Sequence, residues 1–270
     1  MLLGSSELAN FDRDGFLIIR NLFSEEEVLI LRKEAARIAQ VEAECVIREG
    51  KSKAPKIMLR MHETDGPTGS KIYNATPRLP RILGPAIQLL QDDQLYLHHS
   101  KINLKSAIEG SVWPWHQDFG QWQLDGIKNP DLVTFMIMLD DATELGGCLY
   151  FQPASHKSGR IKPFWDETTP YKFLALPPDD VQRSLREGLA PVPITGKPGD
   201  TVIFHCNLLH ASGQNLSPTD RWQVYFCFNR VSNHPSDVEQ PRPDYVRSLN
   251  WSVMEAVDDT AIIQAEAIIS

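Results

Sequence analysis

The sequence predicts a mainly β protein with flanking helices, in the form of a double-stranded β-helix (jelly roll, cupin-like). After Asp92, short runs rich in β-branched and aromatic residues follow one another, with turn signals such as Gly146-Gly147 and Pro198-Gly199-Asp200 between them. A helical lead-in precedes these runs. The length of 270 residues suits one domain of this kind. Many short strands after helices indicate two packed sheets with helices against them.

The lead-in occupies about residues 1–92. A turn at Asp14-Gly15 feeds a short strand over 16–19. Ser24-Glu25-Glu26-Glu27 has the pattern of a capping box, in which Ser24 caps a helix and Glu27 reaches back to it. Apolar residues then recur at helical spacing to about Gln40.

Two segments complete the lead-in. Residues 51–70 are polar with Gly and Pro, so we expect a mobile loop, either a lid over substrate or a solvated loop. A second helix is expected over 79–90, with its start left open by Pro80 and Pro85.

The jelly-roll core is predicted over about residues 93–230, and a C-terminal extension over 231–270. The expected strands are 94–104, 112–115, 133–139, 148–152, 192–195, 201–205 and 222–229. Residues 166–189 indicate an insertion with a short helix. The tail, 256–270, is either a helix or disordered. The whole chain is thus expected to form one domain.

Composition excludes several classes of protein. The net charge is −8 and no Lys/Arg block occurs, which disfavours nucleic-acid binding. Met1 to Asn10 lacks the pattern of a signal peptide, and no apolar run is long enough for a membrane span. The cysteines are scattered and are expected to be reduced, which makes a cytoplasmic location the default. They are Cys45, Cys148, Cys206 and Cys227.

Three residues indicate a metal site: His116 and Asp118, which are close in sequence, and His210, far along the chain. Two histidines and one carboxylate occupy one face of an octahedral Fe(II) and leave three positions open. Because side chains alternate along a strand, His116 and Asp118 are expected on one side of an extended chain. Arg221 follows His210 by eleven residues, and its guanidinium fork suits a carboxylate of a co-substrate.

Each element has a plainer interpretation. Isolated His-x-Asp pairs are common, and His205 competes with His210 as the third ligand. Buried histidines with satisfied hydrogen bonds would account for His98, His99 and His156. Arg221 alone would fit a surface ion pair.

Taken together, four ordered motifs resemble the phytanoyl-CoA dioxygenase superfamily of Fe(II)/2-oxoglutarate oxygenases over roughly residues 12–229. The motifs are Trp115-His116-Gln117-Asp118, Gly146-Gly147-Cys148-Leu149 with Pro153-x-Ser155-His156-Lys157, Gly199-Asp200-x-x-x-Phe204, and His210-Ala211-Ser212-x-x-Asn215-x-Ser217-x-x-x-Arg221. Within it, Tyr96-x-His98-x-Ser100-Lys101-x-Asn103 and Trp122 are similar to the ectoine hydroxylase branch.

The resemblance implies a role for each residue. Fe(II) would be held by His116, Asp118 and His210, which decides against His205. The co-substrate 2-oxoglutarate would chelate the iron and place its C5 carboxylate on Arg221 and Ser212, with Asn103 near its C1 carboxylate. O₂ would take the last position. The substrate would lie against Trp122, Phe119 and His99.

The reaction implied is hydroxylation of an unactivated C–H bond in a small molecule, with release of succinate and CO₂. Because Asp118 fills the position that related halogenases leave empty for chloride, hydroxylation is favoured over halogenation, while desaturation and ring closure stay open. His99, Lys101 and Gln117 depart from the residues usual in the ectoine hydroxylase branch, which leaves ectoine itself open. The candidate substrates are amino acids or compatible solutes, aminophosphonates, specialised metabolites and acyl thioesters.

Two functions of other classes remain as alternatives. One is a cupin-like metal enzyme that does not use 2-oxoglutarate, against which Arg221 argues. The other is a non-catalytic small-molecule binding protein on the same fold, against which the intact ligand set argues. No nucleic-acid or membrane partner is expected, and the sequence leaves the oligomeric state undetermined.

Overall fold

The structure is a computed structural model that describes residues 1–168 and 171–269. The helices in these ranges are α1 (Ser5–Asp14), α2 (Glu25–Ile38), α3 (Lys71–Ala75), α4 (Pro80–Leu90), α5 (Asp118–Trp122), α6 (Pro178–Glu187) and α7 (Ala261–Ile269). The strands are β1 (Phe16–Ile19), β2 (Val46–Arg48), β3 (Pro55–Leu59), β4 (Leu95–Lys105), β5 (Trp113–His116), β6 (Leu132–Met138), β7 (Leu149–Phe151), β8 (Phe164–Asp166), β9 (Phe173–Ala175), β10 (Val192–Ile194), β11 (Thr201–His205), β12 (His210–Ser212) and β13 (Arg221–Arg230).

Two antiparallel sheets build the jelly roll. The larger has the order β1-β11-β6-β13-β4-β3-β2, and the smaller has the order β10-β7-β12-β5. Their inner faces pack together, as in the contact of Phe151 on β7 with Phe204 on β11, whose ring centroids are 5.1 Å apart. The two packed sheets confirm the predicted jelly-roll fold class. Side chains of both sheets meet in the interior of the jelly roll.

Helices α2 and α4 cover the outer face of the larger sheet. Val224, Phe226 and Phe228 alternate along β13 and point outward into an apolar core with α2 and α4. The residues on either side of Val224, Gln223 and Tyr225, therefore point inward. This alternation lets one strand serve both the hydrophobic core and the polar interior.

Several predicted elements are confirmed. The Ser24 side chain accepts a hydrogen bond from the Glu27 amide, and the Glu27 carboxylate accepts one from the Ser24 amide. The second helix, α4, begins with Pro80 at its first position, where a missing amide proton costs nothing. The seven strands predicted in the core are all present, displaced by at most two residues at either end. In the tail, α7 is a helix, and Ile262 on it is fully buried; Ser270 lies outside the described residues.

The expectation of a loop over 51–70 is wrong in part. Residues 55–59 form β3, which pairs with β4 in the register Ile57↔Asn103 and Leu59↔Lys101. Polarity misled here because Lys56, although charged, is only 1% exposed. The lead-in is therefore not only helical: β1, β2 and β3 all join the larger sheet.

The predicted insertion contains more structure than a short helix. Besides α6, it includes β9 and the last residue of β8, and these two strands pair in a separate two-stranded sheet. Leu176, just after β9, donates its amide to the Trp115 carbonyl, so this hairpin is attached next to His116. Residues 169–170 of the predicted insertion lie outside the described ranges.

Candidate active site

Two neighbouring strands bring the two histidines together. β12 pairs with β5, and His210 is the direct partner of His116 in that register. Their ring centroids lie 4.0 Å apart, and each residue is 4% exposed. Residues 94 positions apart in sequence thus meet because their strands are adjacent in the smaller sheet.

Asp118 reaches the same point by a route that differs from the predicted one. The sequence predicts that the chain stays extended through Asp118. In the structure, β5 ends at His116, and Asp118 is the first residue of α5. A carboxylate is favoured in the first turn of a helix, where backbone N–H groups have no intrahelical partner. The Gln117 side-chain amide fixes the bend by donating to the carbonyls of Gly159 and Asn207, both at 2.8 Å.

The three side chains converge on one point. Oδ1 of Asp118 lies 3.8 Å from Nε2 of His116 and 3.9 Å from Nε2 of His210. One ligand atom from each residue lies within 4.8 Å of the others, the spacing of a set that can hold a metal ion. A small inward movement would bring all three atoms to bonding distance from one ion.

Backbone hydrogen bonds set the tautomer of both histidines. His116 Nδ1 lies 2.8 Å from the Pro114 carbonyl, and His210 Nδ1 lies 2.9 Å from the Leu208 carbonyl. A carbonyl oxygen only accepts, so each Nδ1 carries the proton and each Nε2 keeps its lone pair for a metal. Burial lowers the pKa of both imidazoles, and His210 lowers that of His116 further, which keeps them neutral as ligands.

A buried guanidinium lies further inside the barrel. Arg221, at the start of β13, is 1% exposed, and its Nη1 donates to Gln223 Oε1 at 2.6 Å. Its Nε has no hydrogen-bond partner. In the described ranges, no carboxylate forms an ion pair with Arg221. A buried cation without a counter-ion is costly, so this position calls for an anion.

Three further buried polar atoms on strands of the two sheets also have no hydrogen-bond partner. They are Ser212 Oγ, Asn103 Oδ1 and Gln223 Nε2. Ser212 follows His210 by two residues on β12 and so shares its face, while Asn103 is the cross-strand partner of Gln223. These groups suit a carboxylate-bearing co-substrate that reaches from the metal ligands to Arg221.

Sequence reasoning missed Lys105, which is also 1% exposed and is the cross-strand partner of Arg221. Its ammonium donates to the Gly213 carbonyl. A signal was present, because Lys101, Asn103 and Lys105 recur at every second position of β4 and therefore share the inward face.

The pocket beside the metal ligands has a volume of only about 20 Å³. Among the predicted substrate residues, His99 and Trp122 line it, together with Lys101, Tyr171 and Arg242, which were not predicted. Phe119, also predicted to contact substrate, packs instead in an apolar cluster with Ile127, Leu132 and Cys206 and is absent from the lining of the pocket.

A β-bulge places two consecutive histidines on the inner side of β4. Cys227 on β13 pairs with His99, but Phe228 pairs with Leu97, so His98 is an extra residue. His98 and His99 therefore both contact the Trp122 ring, with centroid distances of 5.2 Å and 6.3 Å. Burial lowers the pKa of His98 to about 3, so His98 is neutral near pH 7. It accepts from or donates to Tyr96 at 3.1 Å, as a core histidine does.

The other predicted alternatives are placed away from the metal ligands. His205 accepts a hydrogen bond from the Asn207 amide at 3.0 Å and lies against His156, with ring centroids 5.2 Å apart. A larger cleft of about 870 Å³ lies between residues 60–68 and 250–255 and includes none of the metal-ligand candidates. The chemistry of the donor atoms, rather than cavity size, therefore marks the active site.

Within the described residues, no helix has the length and apolar character needed to cross a bilayer.

Comparison with known proteins agrees with this site. The sequence profile of phytanoyl-CoA dioxygenase (PhyH) matches residues 11–222. An ectoine dioxygenase from Nocardia farcinica is 32% identical, over 92% of this chain and 86% of that protein. An L-proline trans-4-hydroxylase from Streptomyces griseoviridis is 31% identical, over 92% of this chain and 94% of that protein.

Solved structures agree as well. The crystal structure of EctD from S. alaskensis with 2-oxoglutarate and 5-hydroxyectoine has a TM-score of 0.81 and 26% identity, over 95% of this chain and 88% of that one. The structure of the same enzyme with bound Fe has a TM-score of 0.80 and 25% identity over the same shares. These likenesses cover almost the whole described fold. The chain belongs to the phytanoyl-CoA dioxygenase family and is an Fe(II)- and 2-oxoglutarate-dependent dioxygenase.

Proposed function

We propose that this enzyme hydroxylates a C–H bond of a small amino-acid-like or compatible-solute-like molecule and releases succinate and CO₂. The observation that carries the proposal is that one protein buries both a guanidinium without a carboxylate partner, Arg221, and the converging atoms of His116, Asp118 and His210. A metal-ion site alone would not need that guanidinium. A bidentate acid that reaches from iron to Arg221 accounts for both features.

In this proposal the protein holds both ends of 2-oxoglutarate. Arg221 and Ser212 bind the C5 carboxylate, and Asn103 hydrogen-bonds to the C1 carboxylate. Gln223 orients Arg221, because its Oε1 accepts from Arg221 Nη1 and also from the Tyr225 hydroxyl at 2.8 Å. Bound Fe(II) supplies the redox chemistry by which 2-oxoglutarate and O₂ are consumed while the substrate is oxidised.

The charge of the small pocket supports a substrate with a carboxylate. Lys101 lines the pocket and contacts the rings of Trp113 and Tyr225, but it forms no ion pair within the described ranges. A carboxylate beside its ammonium would supply the missing counter-charge. The names of the relatives, an ectoine dioxygenase and an L-proline hydroxylase, point to small cyclic molecules of this kind.

The aromatic side of the pocket would hold the body of the substrate. Trp122 and His99 line the pocket and would contact the substrate. Phe119 packs in the same apolar cluster as Trp122 and would support the Trp122 side chain without touching the substrate. A volume of about 20 Å³ holds no more than about one water molecule, so these side chains must move apart to admit a substrate.

We also propose a reducing, cytoplasmic location and a small-molecule substrate as the working partner. All four cysteines are buried and unbridged, which supports a reducing compartment. The acidic net charge of −8 supports the exclusion of nucleic acid.

The test is product formation with L-proline, ectoine and related amino acids, using Fe(II), 2-oxoglutarate and O₂. We expect one substrate to yield a product heavier by one oxygen atom, with an equal amount of succinate. Succinate formation with no oxygenated product from any carboxylate-bearing substrate would contradict the substrate class. Absence of succinate from iron-loaded protein would contradict the reaction itself.

A further inference from the structure

The small pocket beside the metal ligands and the large cleft are neighbours. The pocket has a volume of about 20 Å³ and the cleft one of about 870 Å³. Leu59 lines the pocket and the next residue, Arg60, lines the cleft; Arg242 lines the pocket and Tyr245 lines the cleft. Two separate segments thus pass from one cavity to the other within three residues, which span at most about 11 Å.

One side of the wall between the cavities is part of the larger sheet. The amide of Arg60 donates to the Ser100 carbonyl at 3.1 Å, and Leu59 on β3 pairs with Lys101 on β4. His62, which lines the cleft, has its Nδ1 2.6 Å from the Ser100 hydroxyl. Paired strands are among the most stable parts of a fold, so this side of the wall is the rigid one.

The other side of the wall is a segment without strand structure, residues 236–245, here called the strap. Its regular structure is limited to the start of a short 3-10 turn, Asp244–Val246. The Ser236 amide donates to the Gly126 carbonyl at 3.0 Å, and Val246, just beyond the strap, is 4% exposed in the apolar core. A segment held at its ends with few backbone hydrogen bonds between them opens more readily than a strand does.

Two contacts hold the middle of the strap, and they differ in strength. Nε of Arg242 lies 3.0 Å from both carboxylate oxygens of Asp125, which is 1% exposed. Separating a buried charge pair is costly. Nη1 of Arg60 donates to the Asp244 carbonyl at 2.8 Å, and this is a single, solvent-exposed hydrogen bond. Water can replace such a bond at little cost, so the strap opens most easily at Asp244.

The backbone of Arg60 is itself unusual. Its φ of 61° lies in the left-handed region, which is uncommon for a residue other than glycine. This conformation turns the chain out of β3 at the point where the two cavities meet. Backbone strain of this kind is concentrated at active sites, ligand clamps and switch regions.

We propose that ligands reach the iron site through the large cleft, and that the contact between Arg60 and the Asp244 carbonyl is the gate between the two cavities. The small pocket holds no more than about one water molecule, so a ligand of the site needs an opening. When the gate opens, only this hydrogen bond breaks, and the cleft becomes continuous with the pocket. The inference rests on the proposed function, because it takes 2-oxoglutarate to bind beside the metal ligands.

The experiment is stopped-flow absorbance of the anaerobic, Fe(II)-loaded protein mixed with 2-oxoglutarate, in which growth of the charge-transfer band gives the association rate. Thr64→Cys and Ser252→Cys each place a thiol on opposite walls of the cleft, at exposed positions, for a bulky maleimide. Each labelled protein should associate at least about tenfold more slowly than labelled Ser6→Cys, since the label obstructs entry. Ser6 is exposed and lines neither cavity. Reaction at the buried Cys45 would affect all three proteins alike.

A second variant tests the gate itself. Arg60→Met removes the hydrogen bond to the strap, so 2-oxoglutarate should associate up to about tenfold faster than with Arg78→Met. Arg78 is the matched control because it also lines the cleft, and its N–H groups donate to the Glu255 carbonyl and Asn74 Oδ1. Its loss removes the same charge from the cleft but leaves the strap in place. A rate for Arg60→Met equal to or below that of Arg78→Met would exclude the gate.

Failure of the entrance and failure of the proposed function have different signatures. If both labelled cleft variants associate as fast as labelled Ser6→Cys, the site stands but its entrance lies elsewhere, and the inference is wrong. If the unlabelled, unsubstituted protein binds iron but gives no band with 2-oxoglutarate, the proposed co-substrate site is wrong and the inference falls with it.

Discussion

At the scale of single residues, several side chains of the active site use one polar atom in a hydrogen bond and leave another polar atom without a partner. The Nδ1 hydrogen bonds of His116 and His210 to backbone carbonyls direct both Nε2 lone pairs toward Asp118. Arg221 likewise has one N–H engaged by Gln223 and its Nε unpartnered. Such unpaired buried atoms are rare in proteins, and in the proposed function they are the atoms that bind ligands.

Loss of an iron ligand is the first prediction. His116→Ala removes one of three protein donors, so we expect iron affinity to fall by more than about 100-fold, since even indirect disturbance of a ligand costs 10- to 100-fold. Turnover should fall in parallel. His234→Ala, at an exposed histidine, is the matched control. Iron binding by His116→Ala equal to that of the control would exclude His116 as a ligand.

Arg221 should separate co-substrate binding from iron binding. Arg221→Met removes a charge-assisted fork worth about 1.5–3 kcal/mol per hydrogen bond, so the KM for 2-oxoglutarate should rise roughly 10- to 100-fold. Iron affinity should stay within about twofold. Arg221→Lys should recover part of the loss, because it restores charge without the fork. Equal losses of iron and 2-oxoglutarate affinity would argue for a structural role.

At the scale of elements, structure that depends on neighbouring residues could be predicted from the sequence. Structure that depends on pairing between distant segments could not. The capping box located the start of α2 because its hydrogen bonds lie within four residues. β3 was missed because its burial arises from pairing with β4, which no local pattern reveals. The sequence predicts an extended chain through Asp118, whereas the observed bend at Gln117 depends on acceptors at Gly159 and Asn207, far along the chain.

The same contrast holds for the site. His116, Asp118 and Arg221 could be recognised from spacing and motif, since chemistry restricts which residue types occur there. Lys105 could not be recognised by residue type, because a lysine in a strand is ordinarily exposed. The inward turn of both His98 and His99 requires a bulge, which only the register of β4 against β13 reveals.

The α2 cap offers a test confined to one element. Ser24→Ala removes the acceptor for the Glu27 amide, so the free energy of unfolding should fall by about 1 kcal/mol. Because the cap is remote from the metal ligands, kcat should be unchanged. Ser6→Ala, at an exposed helical position, should change stability by less than about 0.5 kcal/mol. Denaturant unfolding followed by circular dichroism measures both, and an unchanged stability in Ser24→Ala would show that the cap contributes little.

At the scale of the whole molecule, buried neutral histidines make stability depend on pH. Burial lowers the pKa of His62 and of His98 to about 3, whereas the unfolded value is about 6.5. Below pH 6.5 the unfolded chain binds protons that the folded protein does not. The unfolding free energy should therefore fall by up to about 1.4 kcal/mol per pH unit for each histidine as the pH drops from about 6.5 toward 3.

Chemical denaturation at a series of pH values between 7 and 4.5 measures this slope. His62→Asn should reduce the slope by about one proton relative to the unsubstituted protein, and Ser6→Ala, at an exposed site without an ionisable side chain, should leave it unchanged. The same slope in all three proteins would show that burial of His62 does not oppose its protonation.

In the proposed function, one ligand is held between the two sheets. The smaller sheet supplies His116, His210 and Ser212, while the larger sheet supplies Asn103, Lys105 and Arg221. A ligand bridging iron and Arg221 therefore bridges both sheets. It should stabilise the fold by the usual linkage of binding to unfolding, by about 2.7 kcal/mol at a concentration 100 times its Kd.

The most direct measurement of this account is the visible absorbance of the anaerobic, Fe(II)-loaded protein as 2-oxoglutarate is added. Chelation of iron by the 2-oxo acid should produce a weak charge-transfer band that saturates with one equivalent. The band should need a much higher concentration in Arg221→Met and be absent in His116→Ala. Iron that is demonstrably bound without any band, or a band that appears equally in Arg221→Met, would contradict the proposed joint site.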